Sequence, residues 1–157
     1  MSVTILPATA ADLEDVRRLF LEYWATMGFT PCFQDFQHEV DTLPGAYLPP
    51  RGALLVARNA QGEAVGTVAL RPTELPDTCE MKRLYVSAAA RGTGLGRQLL
   101  QAVLAEGRQR HYRHMRLDTF PAKMDRAVSM YLVAGFSEVP AWYSPALEGV
   151  LCLSKEL

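Results

Sequence analysis

The chain has 157 residues, of which 49% are apolar, and its 16 basic and 17 acidic side chains leave a net charge of −1. This predicts a single globular domain over residues 1–157 with a proper core, and it argues against nucleic-acid binding through charge. No apolar run is long enough to cross a bilayer, no signal peptide is evident, and three cysteines without C-x-x-C spacing favour a reducing cytoplasm.

The amino-terminal third predicts one strand and two helices. Val3 to Leu6 is typical of a short strand, and Thr9 or Asp12 can cap the helix that follows. The inner face of that helix is apolar at helical spacing: Leu13, Val16, Leu19, Phe20 and Tyr23. A shorter helix is predicted from about Phe33 to Leu43, and prolines and glycines predict a loop from Pro44 to Gly52.

The rest of the chain alternates strands and helices. A hairpin is predicted for Ala53 to Arg58 and Ala64 to Arg71 around the turn Asn59-Ala60-Gln61-Gly62. The later elements are a strand from Cys79 to Val86, a helix from about Gly94 to Gln109, a strand from Met115 to Thr119, a helix from Met124 to Ala134 stopped by Gly135, and strands at Phe136 to Val139 and Val150 to Leu153. The order β-α-α-β-β-β-α-β-α-β-β predicts an α/β fold with a mixed sheet flanked by helices.

A strand, a glycine loop and a helix follow one another between Leu84 and Leu104, with the loop sequence R-G-T-G-L-G. The first N–H groups of a helix have no partner inside it, and glycines let the backbone approach an anion. The loop is not a P-loop, because no Lys-Ser or Lys-Thr follows the glycines. It is not a Rossmann fingerprint either, because Arg97 stands where the last glycine should be. The pattern therefore predicts a phosphate site of another kind.

Two motifs together resemble the signatures of the GNAT superfamily of acetyl-CoA-dependent N-acyltransferases. One is R-G-T-G-L-G after a strand, and the other is A-V-S-M-Y-L-V-A-G-F from Ala127 to Phe136. The resemblance covers nearly the whole chain and is strongest from about Ala53 to Phe136. It implies a mixed, mostly antiparallel central sheet, also classed as α+β, and a cytoplasmic N-acetyltransferase. It further implies acetyl-CoA as co-substrate, no metal and a small amine as acceptor. Dimers are frequent in the superfamily, so a homodimer is possible.

The resemblance also assigns residues to the coenzyme. The contacts would run along the end of the strand, the loop and the first helical turn: Leu84, Tyr85, Val86, Arg91, Gly92, Thr93, Gly94, Leu95, Gly96 and Arg97. Backbone groups of Leu84 and Val86 would bind the pantetheine amides and polarise the acetyl carbonyl. Tyr131 would face the sulfur and protonate the thiolate, whose reference pKa of about 8.5 lies below the roughly 10 of tyrosine. By itself, such a tyrosine is better explained as a core aromatic on an amphipathic helix, whereas the two motifs together favour the functional interpretation.

Glu80 stands eleven residues before Arg91, the offset of the general base in the histone-acetylating branch of the superfamily. If no bulge intervenes, strand alternation puts Glu80, Leu84 and Val86 on one face. The alternative is that Glu80-Met81-Lys82-Arg83 forms a solvated strand face with cross-strand ion pairs. Many relatives have asparagine after the strand that ends at Thr119. Asp118 lacks an amide donor and could instead cap a turn or bind Lys123 or Arg126.

The acceptor pocket is less well specified. Relatives build it from the first two helices and nearby loops, which indicates Tyr23, Phe29, Phe33, Gln37, Glu39, Tyr47 and Tyr143, while Arg71 or Arg83 could pair with a substrate carboxylate. These aromatics are also typical core residues. The candidate pocket residues include several aromatics and few carboxylates, and this composition favours a compact amine such as an amino acid over a long polyamine.

Other features have less specific explanations. His38 is an alternative base, and Cys79 an alternative acyl carrier, although a buried structural thiol is the simpler interpretation. His111 and His114 lack further metal ligands nearby. The basic run Arg108, Arg110, Arg113 and Arg116, together with these histidines, could contact nucleic acid or the coenzyme's 3′-phosphate, but it is more typical of a solvated helix end. Two other functions fit the same motifs: a non-catalytic coenzyme A sensor and a protein N-acetyltransferase.

Overall fold

The computed structural model describes residues 2–28 and 35–157. Its seven strands form one sheet in the order β1-β2-β3-β4-β5-β7-β6. The strands are β1 (Val3–Pro7), β2 (Ala53–Asn59), β3 (Ala64–Pro72), β4 (Thr78–Val86), β5 (His114–Thr119), β6 (Ser137–Glu138) and β7 (Leu151–Glu156). The pair β4–β5 is parallel, and the other neighbours are antiparallel. The predicted fold class and element order are confirmed.

Four helices cover the two faces of the sheet: α1 (Leu13–Met27), α2 (Phe36–Asp41), α3 (Leu95–Gln109) and α4 (Pro121–Val133). On one face, apolar side chains of α3 and α4 pack against the sheet, and α3 buries Leu95, Leu99, Leu100, Val103 and Leu104 there. On the other face, α1 and α2 bury a second cluster in which the rings of Trp24 and Phe36 stack 4.1 Å apart. Burial of these two apolar faces holds the three layers together.

The element boundaries shift by a few residues from those predicted. The hairpin turn is confirmed, because Gly62 donates to the carbonyl of Asn59 at 3.0 Å. The second helix is described from Phe36 to Asp41, and its predicted start at Phe33 lies outside the described residues. Helix α4 starts at Pro121, but Met124 has non-helical dihedrals (φ −143°, ψ 47°). This break after the first turn explains why the sequence pattern indicated a start at Met124.

Strands β4 and β5 separate after a short contact. They pair at Thr78 with His114, Cys79 with Met115 and Glu80 with Arg116. In the part of the chain that the structure describes, the β4 edge beyond Glu80 has no strand partner on that side. The Val86 carbonyl accepts a hydrogen bond from the Arg91 Nε at 3.2 Å. The other backbone N–H and C=O groups on this edge face a gap between the strands, have no strand opposite them and are available to a ligand.

A β-bulge lies in β4 beside this gap. Ala69 pairs with Lys82 and Thr67 with Tyr85, so three steps along β4 oppose two along β3. Arg83 accordingly has φ 61°, a left-handed conformation that is uncommon for a residue with a side chain. The bulge turns Leu84 toward the α3 face, with Cys79 and Met81. Because this bulge intervenes, Glu80 does not share a face of the strand with Leu84 and Val86, and the expectation that it would was wrong.

No helix among the residues described here is long and apolar enough to span a membrane.

Candidate active site

A cavity of about 380 Å³, here called the long groove, runs from the end of β4 over the glycine loop to the start of α4. Of the residues predicted to bind the coenzyme, it is lined by Leu84, Tyr85, Val86, Arg91, Gly92, Gly94, Leu95 and Gly96. Thr93 and Arg97 are exposed and do not line it. Three cations, Arg91, Lys123 and Arg126, line the groove against one carboxylate, Asp125. This excess of positive charge suits an anionic ligand.

The glycine loop depends on backbone conformations that other residues rarely adopt. Gly92 has φ 79° and Gly94 has φ 84°, and a Cβ at either position would meet no atom within 4 Å. Glycine is therefore required here by the left-handed backbone and not by lack of space. Gly94 immediately precedes α3, whose first N–H groups have no acceptor within the helix. The loop thus presents the positive end of a 15-residue helix beside the groove.

A narrow cavity, here called the junction, lies in the gap between β4 and β5. It shares Tyr23, Leu84 and Met124 with the long groove. It shares Lys82, Arg83 and Asp118 with a third cavity, described below. The three cavities therefore adjoin one another, with the junction in the middle. Tyr131 lines the junction.

Tyr131 is 3% exposed and projects from α4. Its ring lies edge-on to that of Phe136 at 5.9 Å, and its backbone carbonyl accepts a hydrogen bond from the Phe136 N–H at 3.0 Å. Burial, reinforced by the nearby Tyr23, raises the pKa of Tyr131 above its usual value. The phenol therefore stays protonated at neutral pH and can donate a hydrogen bond into the junction.

The third cavity, of about 280 Å³, is the charged pocket. Glu80, only 5% exposed, lies 3.4 Å from Arg71, 3.6 Å from Lys82 and 3.8 Å from Arg116. Arg71 is directly opposite Glu80 on β3. The structure combines features of both predicted alternatives, because Glu80 forms a cross-strand ion pair but is buried in a pocket instead of lying on a solvated face.

Asp118 occupies a central position, because it lines both the junction and the charged pocket. It lies 3.4 Å from the Lys82 ammonium and accepts a hydrogen bond from the Tyr143 hydroxyl at 3.2 Å. These partners replace the suggested Lys123 and Arg126. Burial first, and then the Asp118 carboxylate, raise the pKa of Tyr143. Tyr143 therefore remains a hydrogen-bond donor in this pocket.

The two arginines considered for a substrate carboxylate have different surroundings. Arg83 donates two hydrogen bonds of 2.8 Å to Glu39 of α2. Its guanidinium also lies over the rings of Trp24 and Phe36, at 4.9 and 5.0 Å. Arg71 makes one longer contact, to Glu80, and its side chain is 35% exposed. Arg71 thus has donors available to a ligand, whereas Arg83 holds the bulge of β4 against α2.

The remaining acceptor candidates fall into different places. Tyr23 lines the junction and the long groove, and Tyr143 lines the charged pocket. Tyr47 is buried and donates to Glu39 at 3.0 Å, whereas Gln37 is exposed and donates to Asp41. Neither lines the charged pocket. Phe29 and Phe33 lie outside the described residues.

The Arg83–Glu39 pair predicts a pH-dependent stability. Burial is the largest single influence and acts to raise the pKa of Glu39, but the hydrogen bonds from Arg83 and Tyr47 and the positive charges of Arg83 and Lys82 together outweigh it, so the net pKa is lowered. The contribution is then complete above the unfolded value of about 4.5 and is lost as pH falls through the lower folded pKa. We expect Glu39→Gln to reduce the free energy of unfolding by about 3 kcal/mol at pH 7.

Urea unfolding at several pH values measures this effect. The difference between Glu39→Gln and wild type should shrink steadily as the pH is lowered below about 4. Glu148→Gln, at an exposed glutamate, is the control and should change stability by less than about 0.5 kcal/mol. A difference that is the same at pH 7 and in acid would contradict the assignment.

Several residues of the site were not anticipated from the sequence. Lys82 and Thr119 line the junction, and Trp142 of the charged pocket lies 4.4 Å over the Arg116 guanidinium. Arg116 is 8% exposed in β5, so it does not belong to a solvated helix end. Two hydrogen bonds from Arg116 lower the pKa of Glu74 to about 2. The i, i+2 spacing of Glu80 and Lys82 could have indicated that both face one pocket.

Two further predictions concern alternative chemistry. Cys79 is buried on the α3 side of the sheet, and burial raises the pKa of its thiol to about 12. A thiol with so little thiolate is a poor nucleophile, which favours the structural interpretation. His38 is exposed on α2 and does not line the charged pocket. Among the residues that the structure describes, no group of histidine, cysteine and carboxylate side chains could hold a metal.

Comparisons with known proteins agree on one family. The model of the Acetyltransferase (GNAT) family matches residues 13–136. An uncharacterised N-acetyltransferase of Schizosaccharomyces pombe is 35% identical over 146 residues, covering 93% of this chain and 89% of that protein. An acetyltransferase of the GNAT family from Staphylococcus aureus Mu50 superposes with a TM-score of 0.82 at 19% identity, covering 99% of both chains. A Klebsiella pneumoniae protein provisionally described as an acyl-CoA N-acyltransferase has a TM-score of 0.69 at 28% identity, covering 99% and 97% of the two chains.

Proposed function

The chain belongs to the acetyltransferase (GNAT) family of N-acetyltransferases, and from that premise we propose that it acetylates the primary amine of a small molecule with acetyl-CoA. The observation that carries this proposal is the row of three adjoining cavities, which share lining residues at the junction. A long groove with positive charge can hold the coenzyme, and a compact charged pocket can hold an amine. The two substrates would meet at the junction beside Tyr131.

We place the coenzyme's pyrophosphate on the glycine loop and the start of α3, with Arg91 beside it. The free amide groups there and the helix dipole both favour an anion. The pantetheine arm would follow the open edge of β4 from Val86 to Leu84 and satisfy the backbone groups that lack a strand partner. This path would bring the thioester to the junction. Among residues 2–28 and 35–157, Cys79 and Cys152 are buried free thiols, which is compatible with a cytoplasmic enzyme.

In the proposed reaction the amine attacks the acetyl carbonyl directly. The C–N bond forms and the C–S bond breaks, while the amine proton passes to Glu80, directly or through a water molecule. Tyr131 donates its O–H to the departing sulfur. Because burial raises the pKa of Tyr131 and the reference thiol pKa is about 8.5, complete proton transfer is unfavourable in the free protein. The main contribution of Tyr131 is then a hydrogen bond from its hydroxyl to the developing thiolate.

The charges of the acceptor pocket favour a zwitterion such as an amino acid. Arg71 has donors available for a carboxylate, and Glu80 and Asp118 can attract an ammonium group. Trp142 and Tyr143 provide apolar surface for a compact side chain. A pocket of about 280 Å³ suits such a molecule better than a long polyamine.

A coenzyme-release screen tests this function. We would measure thiol release from acetyl-CoA with amino acids, polyamines, aminoglycosides and peptide amino termini. The proposal expects the best kcat/KM with a free amino acid, and converging steady-state lines because both substrates bind before transfer. Best turnover with peptide amino termini would indicate a protein acetyltransferase, and coenzyme binding without turnover of any amine would indicate a sensor. Parallel lines would exclude direct attack.

Gly94→Ala tests the coenzyme site, because alanine at φ 84° is strained and the relaxed loop would misplace the amides. We expect the Kd for acetyl-CoA, measured by calorimetry, to rise about tenfold, with a small loss of stability. Gly62→Ala is a matched control, since Gly62 has φ 80°, open space around it and a place in the β2–β3 turn. It should lose similar stability and keep wild-type affinity. If Gly94→Ala and Gly62→Ala bound acetyl-CoA with the same Kd, the glycine loop would not be part of the coenzyme site.

A further inference from the structure

Thr119 carries a buried hydroxyl group without a hydrogen-bond partner. Among the side chains of residues 2–28 and 35–157, only its Oγ1 and the Nε of Arg116 are buried N or O atoms that lack one. Thr119 is 5% exposed. By contrast, the fully buried Thr67 donates to the carbonyl of Leu55 at 3.0 Å. A buried hydroxyl without a partner within the protein is normally completed by a water molecule or by a ligand.

The position of Thr119 indicates what that partner is. Thr119 is the last residue of β5 and lines the junction together with Tyr131 and Leu84. Strand alternation puts it on the same face as the buried Leu117, toward α4, and puts Asp118 on the opposite face. The open edge of β4 lies across the gap. A ligand atom in the junction would therefore have Thr119 on one side and the β4 backbone on the other.

We propose that the Thr119 hydroxyl binds the acyl carbonyl oxygen of the thioester, an inference that rests on the acetyl-CoA site proposed above. The acetyl group brings into the junction one new hydrogen-bond acceptor, its carbonyl oxygen, and Thr119 is a donor there without an acceptor. Negative charge develops on this oxygen when the amine attacks. A donor placed in advance in a cavity shielded from water stabilises that charge. Thr119 is on this basis a catalytic residue and gives the site a preference for the acylated coenzyme.

If the Thr119 hydroxyl binds the acyl group, its removal should weaken acetyl-CoA binding without lowering the stability of the free protein. A hydroxyl with a purely structural role would instead lower stability when removed. Thr119→Val keeps the shape of the side chain and removes a hydroxyl that has no partner within the protein, so the Tm of the free protein should not fall. Thr67→Val removes a hydroxyl that is bonded to the Leu55 carbonyl, so its Tm should fall by about 2–4 °C. The two substitutions are the same chemical change in the same sheet, and only Thr67→Val is expected to lower Tm.

Calorimetry with acetyl-CoA and with free coenzyme A tests the inference without knowledge of the acceptor. In Thr119→Val the Kd for acetyl-CoA should rise about 3- to 10-fold, while the Kd for coenzyme A stays at the wild-type value. Thr119→Ser retains a hydroxyl and should bind acetyl-CoA like wild type. Thr67→Val should bind both ligands like wild type. With the acceptor found in the screen, Thr119→Val should lower kcat about tenfold, and Thr119→Ser should restore most of it.

Three results would overturn the inference. Unchanged affinity for acetyl-CoA in Thr119→Val would show that the hydroxyl does not touch the acyl group. An equal loss for both ligands would place the hydroxyl on the pantetheine arm, and a fall in Tm like that of Thr67→Val would give it a structural partner. The outcome for the wider proposal is separate, because only failure of the wild-type protein to bind acetyl-CoA would remove the coenzyme site itself.

Discussion

Replacing Tyr131 with phenylalanine is expected to lower kcat about 10²-fold or more, with the Kd for acetyl-CoA nearly unchanged. The substitution removes only the hydroxyl and leaves the ring that packs against Phe136. In the free protein that hydroxyl lies in a buried site beside the junction. In the reaction it would be the donor nearest to the departing sulfur, so its loss affects the transition state more than the ground state.

Single-turnover kinetics with the best amine, together with calorimetry for the coenzyme, measures the two effects separately. Tyr112→Phe is the matched control, because Tyr112 is also buried and its hydroxyl donates to the Arg51 carbonyl at 2.8 Å. It should lose stability and keep wild-type kcat. Because the pKa of Tyr131 is raised, the wild-type rate should not decline near pH 10 through ionisation of this group. Unchanged turnover in Tyr131→Phe would exclude the proposed role.

Glu80→Gln is expected to lower kcat about 10²-fold, because it removes the proposed general base. Glutamine keeps the size of the side chain but cannot accept the amine proton. The substitution also removes the negative charge between Arg71 and Lys82, so some loss of stability should accompany it. Rates are therefore to be measured at a temperature where all variants are folded.

Asp118→Asn is the matched comparison for Glu80→Gln. Both carboxylates contact the Lys82 ammonium, at 3.6 and 3.4 Å, and both are buried. If Glu80 is the base, Asp118→Asn should reduce kcat by less than about tenfold, while the accompanying loss of charge beside Lys82 is similar. The reverse order of effects would transfer the role of base to Asp118.

The parts of the structure that depend on local sequence could be predicted. Apolar residues at helical spacing specified α3, and the alternation of Gly92 and Gly94 with other residues specified the loop before it. Both signals lie within a few residues of the feature they predict. For the same reason the hairpin turn at Asn59 and the burial of Tyr131 agreed with the sequence.

The acceptor side depends on contacts between distant parts of the chain, so local sequence patterns predicted it less well. The bulge at Arg83 is stabilised by Glu39 from another element, and no turn residue marks it. That bulge reverses which face Leu84 occupies and so invalidated the simple alternation from Glu80. Likewise, Asp118 and Thr119 gain importance only because β5 separates from β4 just before them. Such a separation is a property of the whole sheet and has no local signal.

The short contact between β4 and β5 has a consequence for the protein as a whole. The sheet consists of two sections, β1 to β4 and β5 to β7, and their shared border is three residue pairs long. A molecule seated in the gap touches both sections at once, so its binding free energy also holds them together. Ligand binding in the gap and the association of the two sheet sections are thus coupled. A substitution that weakens the contact between β4 and β5 can therefore also weaken ligand binding, even when it lies away from the ligand.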